Sequence, residues 1–325
     1  MYRRILVPLD GSDVAEQVLP YVRLLGKGFG ASVELFGVFA PVRPCAWDPE
    51  CALTVPRVVA SVRRHTQDYL EGVAASLRSD GLTVSATVRE GGAAESITEA
   101  AAAEPATLLV LCTHGRSGTT IRALGSTADR VLHATAQPVF VVPSRHLNVL
   151  GPTVRLGVML VPLDGSRLTE EVLPHVVALA KAVHSSVMLV GVVPAAEESA
   201  RDTADPARGR PAPAPRVSEA WEARARTYLE SVRAQLVRQG VSAVEACVLQ
   251  GPPADRTVQL ACGITDCFFA LTTPGPGEAG GGLLGHVADR LVRHAVAPVL
   301  VVRAMTLVPE RMSSCSLLQE SEVPA

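Results

Sequence analysis

The stretch ILVPLDGSDVAEQVLPYVRLL, Ile5 to Leu25, returns later in the chain as MLVPLDGSRLTEEVLPHVVAL, Met159 to Leu179, with Asp10 and Asp164 separated by 154 positions. A repeat of this length changes how every other signal is read, because two copies of one supersecondary pattern imply two copies of one domain. Each copy opens on a short apolar, β-rich run and breaks at Asp-Gly-Ser. It then carries apolar residues at helical spacing, in the first copy Val14, Val18, Val22 and Leu25. A second pair confirms the duplication within the sequence itself: GSTADRVLHATAQPVFVV, Gly125 to Val142, recurs as GHVADRLVRHAVAPVLVV, Gly285 to Val302, at an offset of 160. The six extra residues fall between the two pairs, for the most part in AAEESARDTADPARGRPAPAP, Ala195 to Pro215. That Ala-, Pro- and Arg-rich stretch reads as a disordered or polyproline-like insert.

Within the first half the pattern continues. A strand is expected over Val33 to Ala40, a long amphipathic helix from about Pro56 to Arg78, and a strand over Val84 to Arg89. An Ala-rich helix follows (Ala94 to Ala103), then a strand (Thr107 to Cys112), a glycine-rich loop, a helix (Ser126 to Ala136) and a last strand (Val139 to Val142). Alternating strands and helices make βαβ units, and near-continuous Val, Leu and Ile strands are those of a parallel sheet covered on both faces. The fold class is therefore α/β, as two tandem open parallel-sheet domains: residues 1–149, residues 150–303 with the insert at about 195–215, and a mobile tail over 304–325. Pro20 and its repeat Pro174 lie inside the first helical segment and are expected to kink it.

Composition excludes several classes of function. The net charge of −2 and the 4% aromatic content give neither a basic field nor a stacking platform, so nucleic acid is not an expected partner. The opening apolar run ends at Asp10, too short for a secretory or membrane segment, and the chain reads as soluble and cytoplasmic. The seven cysteines are odd in number and lack paired CxxC spacing, so free thiols are expected rather than a disulfide framework or a zinc site.

The chemistry sits in LCTHGRSGTTIRALGST, Leu111 to Thr127. Gly115, Gly118 and Gly125 directly after a strand suit a loop that brings backbone N–H groups close to an anion. It is not a Walker loop, which needs a lysine, nor a dinucleotide loop, which needs GxGxxG after the first strand where this chain has PLDGS. Gly115, nine residues and then Gly125-Ser126, together with the ILVPLDGS opening and the QPVFVV ending, resemble the universal stress protein family over nearly all of both halves.

The resemblance implies a Rossmann-like fold of the adenine nucleotide alpha hydrolase type. It also implies an ATP-type ligand, with or without magnesium. The adenosine end would lie near Pro8, Asp10 and Val38, and the phosphates against His114, Gly115, Gly125, Ser126 and Thr127. Helix N–H groups, a positive dipole end and two hydroxyls suit phosphate, and a carboxylate at Asp10 suits ribose hydroxyls. The plainer alternatives are that Asp10 and Ser126 cap the helices that follow them. Cys112 stands where the family has its first glycine, so a side chain faces the ligand there. The second half departs further: in TTPGPGEAGGGLLGHV, Thr272 to Val287, Pro274 replaces the histidine and His286 the Ser/Thr, while Glu278 adds negative charge. Prolines offer no N–H to a phosphate, so little or no nucleotide is expected in this half.

The function that follows is a nucleotide-binding stress or signalling module, binding mainly in the first domain. Dedicated catalysis is not expected, because only Asp10 and Asp129 are at hand as carboxylates, and ATP hydrolysis is weak at most. The alternatives are a slow ATPase and a structural pairing protein without nucleotide. In that family last strands pair between domains, and here Val139 to Val142 and Val299 to Val302 offer both partners in one chain, an intrachain pseudo-dimer. A further homodimer and an unidentified protein partner are compatible with this sequence.

Overall fold

The first apolar run forms strand β1 (Arg4–Pro8), and Ser12 ends the turn after it by capping a one-turn helix, α1 (Asp13–Glu16). The Ser12 hydroxyl accepts the Ala15 N–H at 3.2 Å. A separate helix, α2 (Leu19–Phe29), then begins with Pro20 in its first turn. The proline therefore kinks nothing: its missing N–H falls where a helix has no internal partner for it. A computed structural model describes residues 1–41, 49–114, 124–144, 154–195, 216–274, 285–294 and 297–304.

The first repeat continues with β2 (Ser32–Phe39), α3 (Pro49–Ser79), β3 (Val84–Glu90), α4 (Ala93–Ala102), β4 (Thr107–Cys112), α5 (Ser126–Ala134) and β5 (Val139–Val142). The long helix starts before the expected Pro56 and carries that proline inside it. The second repeat follows suit: β6 (Val158–Pro162), α6 (Arg167–Glu170), α7 (Leu173–Val183), β7 (Ser186–Val193), α8 (Arg216–Arg238), β8 (Val244–Gln250), α9 (Pro253–Cys262), β9 (Cys267–Thr273), α10 (His286–His294) and β10 (Val299–Arg303). Pro174 starts α7 as Pro20 starts α2. Nearly all of the Ala195–Pro215 insert and of the tail lies outside the described residues.

The ten strands of the described residues join one sheet in the order β3-β2-β1-β4-β5-β10-β9-β6-β7-β8. Every pairing is parallel except the central one, where β5 and β10 run antiparallel with Val299 opposite Val141, Leu300 opposite Phe140 and Val301 opposite Val139. The two last strands thus remove each other's edge, and the intrachain pairing expected from the repeat is the seam of the sheet. Two apolar cores cover its faces and both cross the seam. One holds Leu25, Leu70, Leu179 and Leu229 from α2, α3, α7 and α8, and the other Ile97, Val131, Ala261 and Leu291 from α4, α5, α9 and α10.

On the first face α2 and α7 touch across the seam. A Cβ on Gly28 would stand 2.3 Å from the Ala182 carbonyl oxygen, so only glycine permits this approach. Nearby, the Tyr2 hydroxyl lies 2.6 Å from Nδ1 of His175. Burial holds His175 down to about 4, against an ordinary value of 6.5. Between these pH values the unfolded chain binds a proton that the folded chain refuses, and protonation also removes the acceptor that Tyr2 uses. The group leaves stability unchanged above about pH 6.5. Stability then falls by at most about 1.4 kcal/mol per pH unit toward pH 4 and levels off below it. Denaturant unfolding across pH 7 to 4 should show a shallower slope for His175→Asn than for the wild type; equal slopes would contradict the assignment.

Candidate functional site

In the first repeat the chain leaves β1 toward β2 on one side and β4 toward β5 on the other, so the crevice beyond β1 and β4 is the topological switch point, where α/β sheets hold ligands. A cleft of about 140 Å³ opens there, comparable to cavities that hold one benzene ring. Pro8 ends β1 and Leu9 and Asp10 follow it, Phe36 and Val38 come from β2, and Leu111 to His114 from the end of β4. Ala93 and Ile97 of α4 and Val131 of α5 complete the apolar wall, and Gly125, Ser126 and Thr127 form the polar end. Seven of the eight residues singled out in the sequence thus line one cleft. The eighth, Gly115, lies outside the described residues, as does Gly118.

Gly125 seats the polar end. It is the residue before α5, with φ −61° and ψ 145°, a conformation open to any amino acid. What demands glycine is proximity: its N–H donates to the Thr113 carbonyl at 2.7 Å, and a Cβ would stand 2.9 Å from that same oxygen. Ser126 is therefore the first residue of α5 and not its cap, and the capping position has no side chain to offer. α5 starts at this end of the cleft, where Ser126, Thr127 and Ala128 line it and the positive pole of the helix dipole lies.

Asp10 is exposed, and its carboxylate accepts from the Ser12 N–H at 3.0 Å and the Ser12 hydroxyl at 2.6 Å. It holds the cap without being the cap. Asp164 does the same in the second repeat, accepting from the Ser166 N–H at 2.8 Å and the Thr169 hydroxyl at 2.9 Å. Partial burial pushes the Asp164 carboxyl up, but the bonds from Ser166 and Thr169 outweigh that and hold it below the usual carboxylate range. Ordering the turn is thus common to both repeats.

Nδ1 of His114 lies 2.9 Å from the Ser144 hydroxyl and 3.1 Å from that of Thr113, while Nε2 is buried without a hydrogen-bond partner among the described residues. Cys112 is part of the wall, and burial pushes its thiol up, keeping it protonated and uncharged. The side chain at the first glycine position leaves the cleft open. The aromatic and aliphatic wall of Phe36, Ile97, Leu111 and Val131 was not singled out in the sequence, because each residue falls on the apolar face of its element and reads as core.

The corresponding end of the second repeat is built differently. Thr272, equivalent to Cys112, donates its hydroxyl to the Thr169 carbonyl of α6 at 3.3 Å. Gly285, equivalent to Gly125, has φ +71°, a left-handed conformation in place of the extended one, so the chain reaches α10 by another path. Residues 275–284 between them lie outside the described residues.

Two α/β repeats with an Asp-Gly-Ser turn after the first strand, a glycine-seated helix after the fourth, and last strands paired back to back define a tandem duplicated-domain protein. The chain belongs to the universal stress protein family, whose family model matches residues 1–143 and again 157–303. A universal stress protein of Methanocaldococcus jannaschii is 29% identical over 143 residues, 44% of this chain and 82% of the relative. One from Thermus aquaticus is 37% identical over 75 residues, 23% of this chain and 55% of the relative. Among solved structures, a universal stress protein from Archaeoglobus fulgidus superposes with a TM-score of 0.64 at 17% identity, covering 92% of this chain and 98% of its own. One from Pseudomonas aeruginosa gives 0.62 at 17%, covering 93% of each chain. At that identity the likeness is one of fold. Among the described residues no helix is long and apolar enough to cross a membrane, and no group of three or more His, Cys, Asp or Glu is placed to hold a metal ion.

Proposed function

We propose that the first repeat, taken as residues 1–149, binds an ATP-type adenine nucleotide and that its occupancy is a signal, read by other proteins in a stress response. The observation that carries this reading is the cleft at the switch point, which joins an apolar slot to the N-terminus of a helix through a glycine that admits no side chain. A planar base fits between Phe36, Val38, Ile97 and Leu111. Asp10, oriented by Ser12, accepts from ribose hydroxyls. Phosphate oxygens meet the first N–H groups of α5 and the hydroxyls of Ser126 and Thr127, and magnesium accompanies them on the phosphates.

Turnover is not the purpose of such a site. Asp10 holds the Ser12 cap and Asp129 is paired with an arginine, so neither stands as a general base; hydrolysis is at most slow. The second repeat, residues 150–303, serves as the structural partner, since its helix start follows a different backbone path and two prolines stand in its loop. Photocrosslinking with an azido-adenine analogue of ATP tests the placement. Label is expected on peptides around Val38 and Cys112 and competed away by ATP; label confined to the second repeat, or shared equally, contradicts it.

The antiparallel seam supports a second reading, in which the chain is an intrachain pseudo-dimer whose task is pairing alone. The two are separable, because the seam persists whether or not the cleft takes a ligand.

A further inference from the structure

Helix α5 of the first repeat is held at two points by arginines of the second. Near its start, Asp129 is the fourth residue of α5, and its carboxylate accepts from Arg293 Nη2 of α10 at 2.8 Å. At its end, Arg303 is buried at 7% exposure and donates to the Leu132 carbonyl at 2.6 Å and the His133 carbonyl at 2.9 Å. Its other terminal nitrogen reaches the carbonyl of Pro274, the proline that stands where the first repeat has His114. These contacts are not returned by symmetry. The repeat sets Arg293 against His133 and Arg303 against Pro143, and proline has no side-chain donor. His133 turns back to its own helix, with Nδ1 2.7 Å from the Asp129 carbonyl oxygen. The arginines therefore run in one direction, from the repeat with the altered loop to the helix of the repeat with the intact one.

The electrostatic consequences are specific to anions. An unpaired carboxylate in the first turn of α5 would repel a phosphate bound at the same helix end. Arg293 offsets part of that charge, its Nε at the same time binding Asp289 of its own helix at 2.6 Å. At the far end Arg303 satisfies carbonyls that no helix can satisfy itself, and it fixes the axial position of α5 against the sheet.

We propose that Arg293 and Arg303 are positioning residues for phosphate binding in the first repeat, so that the second repeat sets the affinity of a cleft whose described lining residues all belong to the first. The inference rests on the nucleotide reading of that cleft. Arg303 is buried, and Arg303→Met risks misfolding, so the decisive variants are at the partly exposed pair. The full-length chain, Arg293→Gln, and Arg293→Gln combined with Asp129→Asn are titrated calorimetrically with ATP and, separately, with adenosine. Arg293→Gln is expected to weaken ATP about tenfold by uncovering the Asp129 charge and to leave adenosine unchanged, and the double variant to recover ATP binding. A purely structural role would weaken both ligands together, and Asp129→Asn would not separate them. Equal loss of ATP and adenosine, no recovery in the double variant, or unchanged ATP binding in Arg293→Gln overturns this inference alone. A wild-type chain that takes up neither ligand overturns the nucleotide reading and this inference with it.

Discussion

Replacing Val141 by aspartate should open the seam between the two repeats and lower the stability of the whole chain by about 4 kcal/mol or more. Val141 is 1% exposed and lies opposite Val299 across the antiparallel pair, in a core that includes Leu271, Val299 and Val301. A carboxylate placed there is taken out of water among apolar side chains while the sheet stays closed. Because Val141 also sits opposite Leu111 in β4, the first repeat loses part of its own packing as well. Solution scattering should therefore show a larger radius of gyration together with a lower melting temperature, whereas Val141→Ile should change neither by much. Gly28→Leu isolates the contact between repeats: its side chain meets the Ala182 backbone of α7, and it should loosen the two halves with less damage to either. Unchanged compactness and melting in Val141→Asp would contradict a seam built on these strands.

Gly125→Val should reduce ATP affinity by about a hundredfold or more, an expectation drawn from the displacement of a positioned binding group rather than from the loss of one bond. At φ −61° and ψ 145° valine is not strained by its backbone. The obstacle is the Thr113 carbonyl, 2.9 Å from the new Cβ and itself fixed by the Gly125 N–H. Backbone cannot swing aside as a side chain can, so the start of α5 has to move, and the N–H groups and both hydroxyls move with it. Ser126→Ala removes one hydroxyl without moving the helix and should cost only about threefold to tenfold. The contrast between the two separates placement of α5 from any single hydrogen bond.

Much of this architecture was legible because it repeats. The matched segments placed β1, the Asp-Gly-Ser turn, α5 and both last strands, and the pairing of those strands follows from having two complementary edges in one chain. The break between α1 and α2 was hidden, since apolar spacing runs unbroken through Val14, Val18 and Val22, and a proline reads as a kink in one helix until the start of another is seen. The polar residues of the cleft were visible in their motifs, but its apolar wall was not: Phe36, Ile97 and Val131 carry the same pattern whether they face a core or a ligand. Ser12 rather than Asp10 caps α1, a distinction between neighbours that composition cannot make. The clasp on α5 had no local signal, because Arg293 and Arg303 find partners 164 and 171 positions away. Only the antiparallel seam brings them there.

In the proposed function one repeat binds nucleotide and the other supports it. Calorimetric titration of the full-length chain with ATP and magnesium, beside a Gly125→Val, Ser126→Ala variant, tests it most directly. A stoichiometry near one per chain that disappears in the variant is the expected result. No heat in the wild type, or two equivalent sites of which the variant keeps one, would contradict it.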